Sequence, residues 1–211
     1  MLDARRPYGR FVDDDQWQTP PTQFITPDSM ETRSLREMWD QVILSSREAE
    51  VVQAMRILEP SIESIVFLTG DTHRRVGGRG GIVASTKQQS ERFPLGSYGD
   101  GMRRLLALSL SLIRCANGYL FIDEIDTGVH HSIMADMWKL VIKTSRQSDI
   151  QVFATTHSLD CLRGLAYAGE TEPALLDDVV VHKIEKDLDH NIAFRSSQIS
   201  IAVHREIEVR G

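Results

Sequence analysis

Tyr119-Leu120-Phe121-Ile122 is a four-residue apolar run that ends in two acids, Asp123 and Glu124. A run this short is the length of a strand rather than a helix. It is apolar at every position, so both of its faces need cover, as in a strand inside a parallel sheet. The segments around it agree. Residues 101–115 are apolar nearly all round (Met102, Leu105, Leu106, Leu108, Leu110, Leu112 and Ile113), as a fully buried helix is. Residues 131–145 place Ile133, Met137, Leu140 and Val141 at helical spacing. Gln151-Val152-Phe153-Ala154-Thr155 reads as a second buried strand, and Ser158 can cap a helix bearing Leu159, Leu162 and Leu165. Strand and helix in alternation predict an α/β chain, with a mostly parallel sheet flanked by helices.

The rest of the chain divides around this core. Residues 1–30 hold Pro7, Pro20, Pro21, Pro27 and the run Asp13-Asp14-Asp15, without a period. They read as an irregular segment with a short strand at Phe24-Ile25, the acidic run being a solvated loop. Residues 31–94 read as a helical pair followed by a small antiparallel hairpin insertion. Leu35, Met38, Trp39 and Val42 stripe the first helix. Ser45 with Glu48 makes a capping-box pair for the second, whose stripe is Val51, Val52, Met55, Ile57 and Leu58, closed by Pro60. Ser64 to Leu68 and Ile82-Val83-Ala84 are the hairpin strands, joined by the turn Gly77-Gly78-Arg79-Gly80-Gly81. No Lys-Ser or Lys-Thr follows those glycines, so they do not form a phosphate loop. Residues 95–211 form the core, ending in a terminal hairpin (178–184 with 191–195) and a short helix over 197–205.

Charge and cysteine usage narrow the function. Lys and Arg total 24 against 30 Asp and Glu, a formal charge of -6. A mildly acidic chain lacks the basic surface that unaided, nonspecific nucleic-acid binding needs. Cys115 and Cys161 have no metal-ligand spacing and read as buried free thiols of a cytoplasmic protein. No apolar stretch approaches the ~20 residues of a membrane helix, and the first 30 residues hold no apolar core of a signal peptide.

Three segments carry chemistry. Asp123 and Glu124 end a buried strand, and open α/β folds bind ligands at that carboxyl end. In nucleoside triphosphate hydrolysis the first acid serves the Mg²⁺ shell and the second orients or deprotonates water. Upstream, Leu95-Gly96-Ser97-Tyr98-Gly99-Asp100-Gly101 opens the buried helix. Small residues there allow close backbone approach, and a helix N-terminus suits a phosphate. A plain turn leading into the helix would use the same residues. Downstream, Thr155-Thr156-His157-Ser158 ends the next strand, where an imidazole can face the same phosphate and water.

In this order the segments resemble the ABC-type P-loop ATPases of the structural-maintenance (SMC), recombination-repair and OLD-like branch, and most of all the AAA-type ATP-binding proteins of bacteria and phage defence. Ser97-Tyr98-Gly99-Asp100-Gly101 looks like the signature motif, with Tyr98 in a usually small position and Asp100 where Glu or Gln is common. Tyr119 to Glu124 is similar to Walker B. Ile125-Asp126-Thr127-Gly128-Val129-His130 looks like the D-loop with its adjoining Gly-hydrophobic-His pattern, and His157 like the switch histidine. The resemblance covers about residues 31–211. It implies ATP and Mg²⁺ as cofactors, Asp123 as the metal-assisting acid, Glu124 as the catalytic carboxylate and His157 as the γ-phosphate sensor. It also implies an ATP-sandwiched homodimer, in which Ser97, Gly99, Asp100 and Gly101 meet the nucleotide of the second copy and Asp126 lies at the interface.

One part of the pattern is missing. The sequence holds no Gly-x-x-x-x-Gly-Lys-Ser/Thr loop, the Walker A motif. Gly96 and Gly101 have the spacing, but Met102-Arg103 follow. The family places Walker A in an N-terminal lobe, so the fold class is the C-terminal half of such an ATPase, and the isolated chain is expected to be inactive. It is then a fragment, one half of a split enzyme completed by a partner chain, or a remnant. The alternative from another class is a non-hydrolysing interaction module. The family couples ATP to DNA, to nucleases or to toxins. Asp187-Leu188-Asp189 is too near the end to begin a Toprim nuclease and reads as a polar turn. His130-His131, His182, His190 and His204 have no zinc spacing.

Overall fold

The computed structural model describes residues 19–26, 31–68, 81–87, 89–184 and 191–204. Asp13 to Asp15, Gly77 to Gly80, Asp187, Asp189 and His190 lie outside them.

A parallel sheet of order β1-β5-β6 organises the chain. Its strands are β1 (Thr22–Ile25), β5 (Tyr119–Ile122) and β6 (Gln151–Ala154). In register, Phe24 faces Phe121 and Phe121 faces Phe153, with Ile25, Ile122 and Ala154 one step on. Side chains alternate across a strand. One face therefore presents Ile25, Leu120 and Ile122, all buried in the main core. The other presents Phe24, Phe121 and Phe153, stacked at centroid distances of 4.7 and 5.0 Å. Phe24 is 63% exposed and Phe153 46% exposed. The expectation that residues 151–155 form a buried strand is thus corrected. Gln151, Phe153 and Ala154 are exposed and Val152 is half-buried, because β6 is an edge strand of a sheet that, among the described residues, is packed on one face.

The packed face lies against α3 (Asp100–Arg114). Residues 104–113 of this helix are all buried, because α1 (Thr32–Leu44), α2 (Glu48–Met55), α4 (Met134–Gln147) and β1 surround it. The stripe Leu35, Met38, Trp39 and Val42 buries the inner side of α1 as its spacing predicts. The capping box does not form. Ser45 instead ends α1, its hydroxyl donating to Val42 O at 2.9 Å, and α2 starts after Arg47 without a side-chain cap. The small sheet gains a strand over the expected hairpin. Its order is β2 (Ile62–Phe67), β3 (Ile82–Thr86), β4 (Gln89–Pro94), antiparallel throughout.

Beyond β6, Ser158 caps α5 (Leu159–Thr171) by accepting from Cys161 N, as its sequence position suggests. The terminal hairpin β7 (Val180–Lys183) with β8 (Ile192–Arg195) and helix α6 (Ser197–His204) complete the described chain. Among the described residues, no helix is long and apolar enough to cross a membrane.

Candidate functional site at the carboxyl end of the parallel sheet

Pairing continues past the strand ends and builds a turn. Asp123 N–H donates to Ile25 O at 2.8 Å, Thr155 N–H to Ile122 O at 2.9 Å and Ile125 N–H to Thr155 O at 3.0 Å. Asp123 and Glu124 leave this turn exposed to solvent, while Ile125 between them and Asp126 is buried as an anchor. Glu124 takes a left-handed backbone, φ 47, which an L-residue holds only where its surroundings over-determine it.

Two threonines bind the acids to the neighbouring strand. The Thr155 hydroxyl donates to Asp123 Oδ1 at 2.7 Å and accepts from Glu124 N–H at 3.0 Å. The Thr156 hydroxyl donates to Asp126 Oδ1 and accepts from Ser158 N–H at 3.0 Å. Thr127 Oγ1 donates to Glu124 Oε2 at 3.0 Å. His157 follows directly and is exposed. Asp123, Glu124, Asp126 and the 155–157 segment therefore share one edge.

The signature-like segment approaches the same turn from the other side. Residues Leu95–Tyr98 form a single 3₁₀ turn, with Ser97 Oγ donating to Pro94 O at 2.7 Å. Gly99 joins this turn to α3 at φ 85, ψ -177, and Asp100 opens the helix. A Cβ at Gly101 would stand 2.9 Å from Gly128 O, so the start of α3 lies in backbone contact with the turn that carries Asp126. Tyr98 is 44% exposed, its ring 5.0 Å from Phe93. Burial and the neighbouring Glu59 carboxylate raise its phenol pKa.

Arg104 lies underneath with no exposed surface. Its Nη1 donates to Thr26 O at 3.1 Å, and its Nη2 to Asp123 O at 2.8 Å and Glu124 O at 2.7 Å. Among the described residues, its Nε has no hydrogen-bond partner. Burial lowers the guanidinium pKa, and Asp126, Asp123 and Glu124 oppose that. Sequence reasoning missed the part played by Arg104, Thr127 and the two hydroxyls of Thr155 and Thr156. The available signals were an arginine beside the leucines of α3 and the polar threonines at the end of β6.

The donor set fits part of an Mg²⁺-nucleotide site. Among the described residues no three His, Cys, Asp or Glu side chains form a metal cage. A single acid beside a hydroxyl suits Mg²⁺, which keeps most of its water and takes the remaining ligands from phosphate. The His130 and His131 rings lie tilted at 39° with centroids 4.1 Å apart, and His130 Nδ1 is engaged by Ser132 Oγ at 2.9 Å.

An acid-tipped parallel strand, a threonine-lined neighbour and a glycine-led buried helix meet at the carboxyl end of an α/β sheet, the architecture of a P-loop NTPase C-terminal half. The comparisons agree. Residues 34–162 match the family described as AAA domain, putative AbiEii toxin, Type IV TA system, and the chain belongs to that family. It is similar to an ATP/GTP phosphatase of Helicobacter pylori, 25% identical over 146 residues, 68% of this chain and 33% of that protein. An uncharacterized protein of Methanocaldococcus jannaschii is 33% identical over 64 residues, 30% of this chain and 56% of that one. The chain thus spans about a third of the first relative and about half of the second. A solved chain from work on ATP-driven dimerisation and DNA-stimulated activation of SMC ATPases has the same fold. Its TM-score is 0.50 at 12% identity, over 85% of this chain and 97% of that one.

Proposed function

We propose that this chain carries the hydrolytic edge of an ATP-dependent head. Asp123 serves the water shell of Mg²⁺, Glu124 takes the proton of the attacking water, and His157 senses the γ-phosphate. Ser97, Gly99, Asp100 and Gly101 bind ATP held by a second copy, and Asp126 lines that contact. The observation that carries the reading is the shared edge, where Thr155 joins Asp123 to the backbone of Glu124. Bound Mg²⁺-ATP supplies the electrophilic phosphorus. The chain's own residues position and deprotonate water beside it.

The phosphate loop comes from a lobe or partner chain, since this sequence has none. Its seat is the bare phenylalanine face, because a parallel sheet needs cover on both sides. Dimerisation on ATP and coupling to DNA or a toxin are supported by the similarity to an SMC ATPase and by the wording of the family description, and a nuclease is a further candidate for what the ATP drives. The test is complementation. Supplied with a lobe bearing the loop, the chain is expected to turn over ATP. Glu124→Gln should keep nucleotide binding and lose ~10²–10⁴-fold in turnover, the usual share of a general base. Unchanged turnover in that variant refutes the role of Glu124.

A further inference from the structure

Arg104 is a buried cation with no carboxylate in ion-pair contact among the described residues, and its acceptors there are three main-chain carbonyls from two segments. Burying a guanidinium is costly, and a purely apolar side chain would fill α3 more cheaply. What the arginine adds is one nitrogen, Nη2, that holds the Asp123 and Glu124 carbonyls together, while Nη1 ties the pair to Thr26 through the rigid guanidinium plane. Fixing those two carbonyls orients the peptide planes on either side of Glu124, the residue with φ 47. Gly101 lies three residues before Arg104, on the same face of α3, and touches the far end of the same turn at Gly128. One helix therefore holds the acidic turn at its start and at its end.

We propose that Arg104 is a positioning residue that couples the signature helix to Glu124: a displacement of α3 reorients the carboxylate through the carbonyls the guanidinium holds. The inference rests on the hydrolytic reading above for its consequence, but not for its geometry. A shift of the N-terminus of α3, where nucleotide of a second copy would bind, is thereby delivered to the water-activating acid.

Hydrogen exchange on the chain itself tests the geometry. In Arg104→Met, amides of residues 123–128 should exchange about tenfold faster, as expected when hydrogen bonds to a charged group are lost. Amides in the middle of α3 and in β7–β8 should keep their rates. Unchanged exchange at 123–128, or an equal rise everywhere, overturns the proposal. If Arg104→Met does not fold, Arg104→Lys is judged by the same two comparisons, since one ammonium cannot hold both Thr26 and the 123–124 pair as the two guanidinium nitrogens do. In the complemented ATPase, Arg104→Met should lower kcat about tenfold or more with KM for ATP nearly unchanged, and Arg104→Lys should recover part of it. Equal loss in kcat and ATP affinity overturns the coupling. Wild-type turnover with an unaffected variant refutes the inference and leaves the proposed function standing. No wild-type turnover, with the exchange pattern present, refutes the function and leaves the tie standing.

Discussion

Gly99 is the sharpest place to test the backbone of the signature segment. Its φ 85 and ψ -177 fall in a region that is essentially reserved for glycine. A Cβ there would meet no atom within 4 Å, so a substitution carries strain and no clash. Gly99→Ala should therefore cost about 1–3 kcal/mol of backbone strain, reduced by about 0.4–1 kcal/mol because alanine restricts the unfolded chain. The mirror image of this conformation is ordinary extended backbone, so a D-alanine at 99 carries no strain and keeps the entropic gain. The two enantiomers should differ by the whole strain, about 1–3 kcal/mol, or about 2–4 °C in Tm for each kcal/mol in a chain of this size. Urea denaturation of the two proteins, made by ligation, measures it. Equal stabilities for the L and D forms would refute the argument, since the L form carries the backbone strain and the D form does not.

Cys161 is buried and its thiol is pushed up to about 12, chiefly by burial. At about pH 8 roughly one thiol in ten thousand is ionised, so iodoacetamide should label Cys161 only after unfolding, and native labelling at the rate of a free thiol would contradict the packing. Phe153→Lys removes a 5.0 Å stack from an exposed position. It should cost only about 0.5–1.5 kcal/mol in a melting experiment, yet abolish capture of the loop-bearing lobe; intact capture would show that the face is not the seat.

Much of this architecture is legible in the sequence, for a definable reason. Periodicity reports burial, so α3 and the inner stripe of α1 follow directly from their leucines, Met38 and Trp39. The acid-tipped strand is equally visible, because Asp123 and Glu124 interrupt a run that is otherwise apolar. β4 is not visible, since Gln89-Ser90-Glu91-Arg92 has the composition of a loop and is a strand only because β3 pairs with it. Ser45 and Glu48 have capping-box spacing, but the same serine is also the first residue past α1, and the local bond to Val42 O wins. The threonine hydroxyls are legible as polar residues at a strand end. Their acidic partners are thirty or more residues away in the chain, a distance no local pattern encodes.

The exposed second strand follows from the same physics. Apolar residues in a strand state that a face needs cover, and they do not state what covers it. Phe153 and Phe24 are as apolar as Ile25 and Leu120, yet only the latter pair has α3 against it. The three rings stack on one another and leave a continuous aromatic surface at the side of the sheet opposite Arg104. The acids stand at the end of that sheet, between the two faces. On one side α3 fixes the turn by its Gly101 contact and its arginine. A lobe seated on the other side would bring a phosphate loop to the same edge, so the nucleotide would lie between a helix that senses a second copy and a lobe that holds the phosphates. On the proposed reading, that arrangement explains why Arg104 contacts carbonyls rather than carboxylates. An ion pair would occupy the carboxylate oxygens, while a bond to the backbone orients the turn and leaves those oxygens clear of the guanidinium.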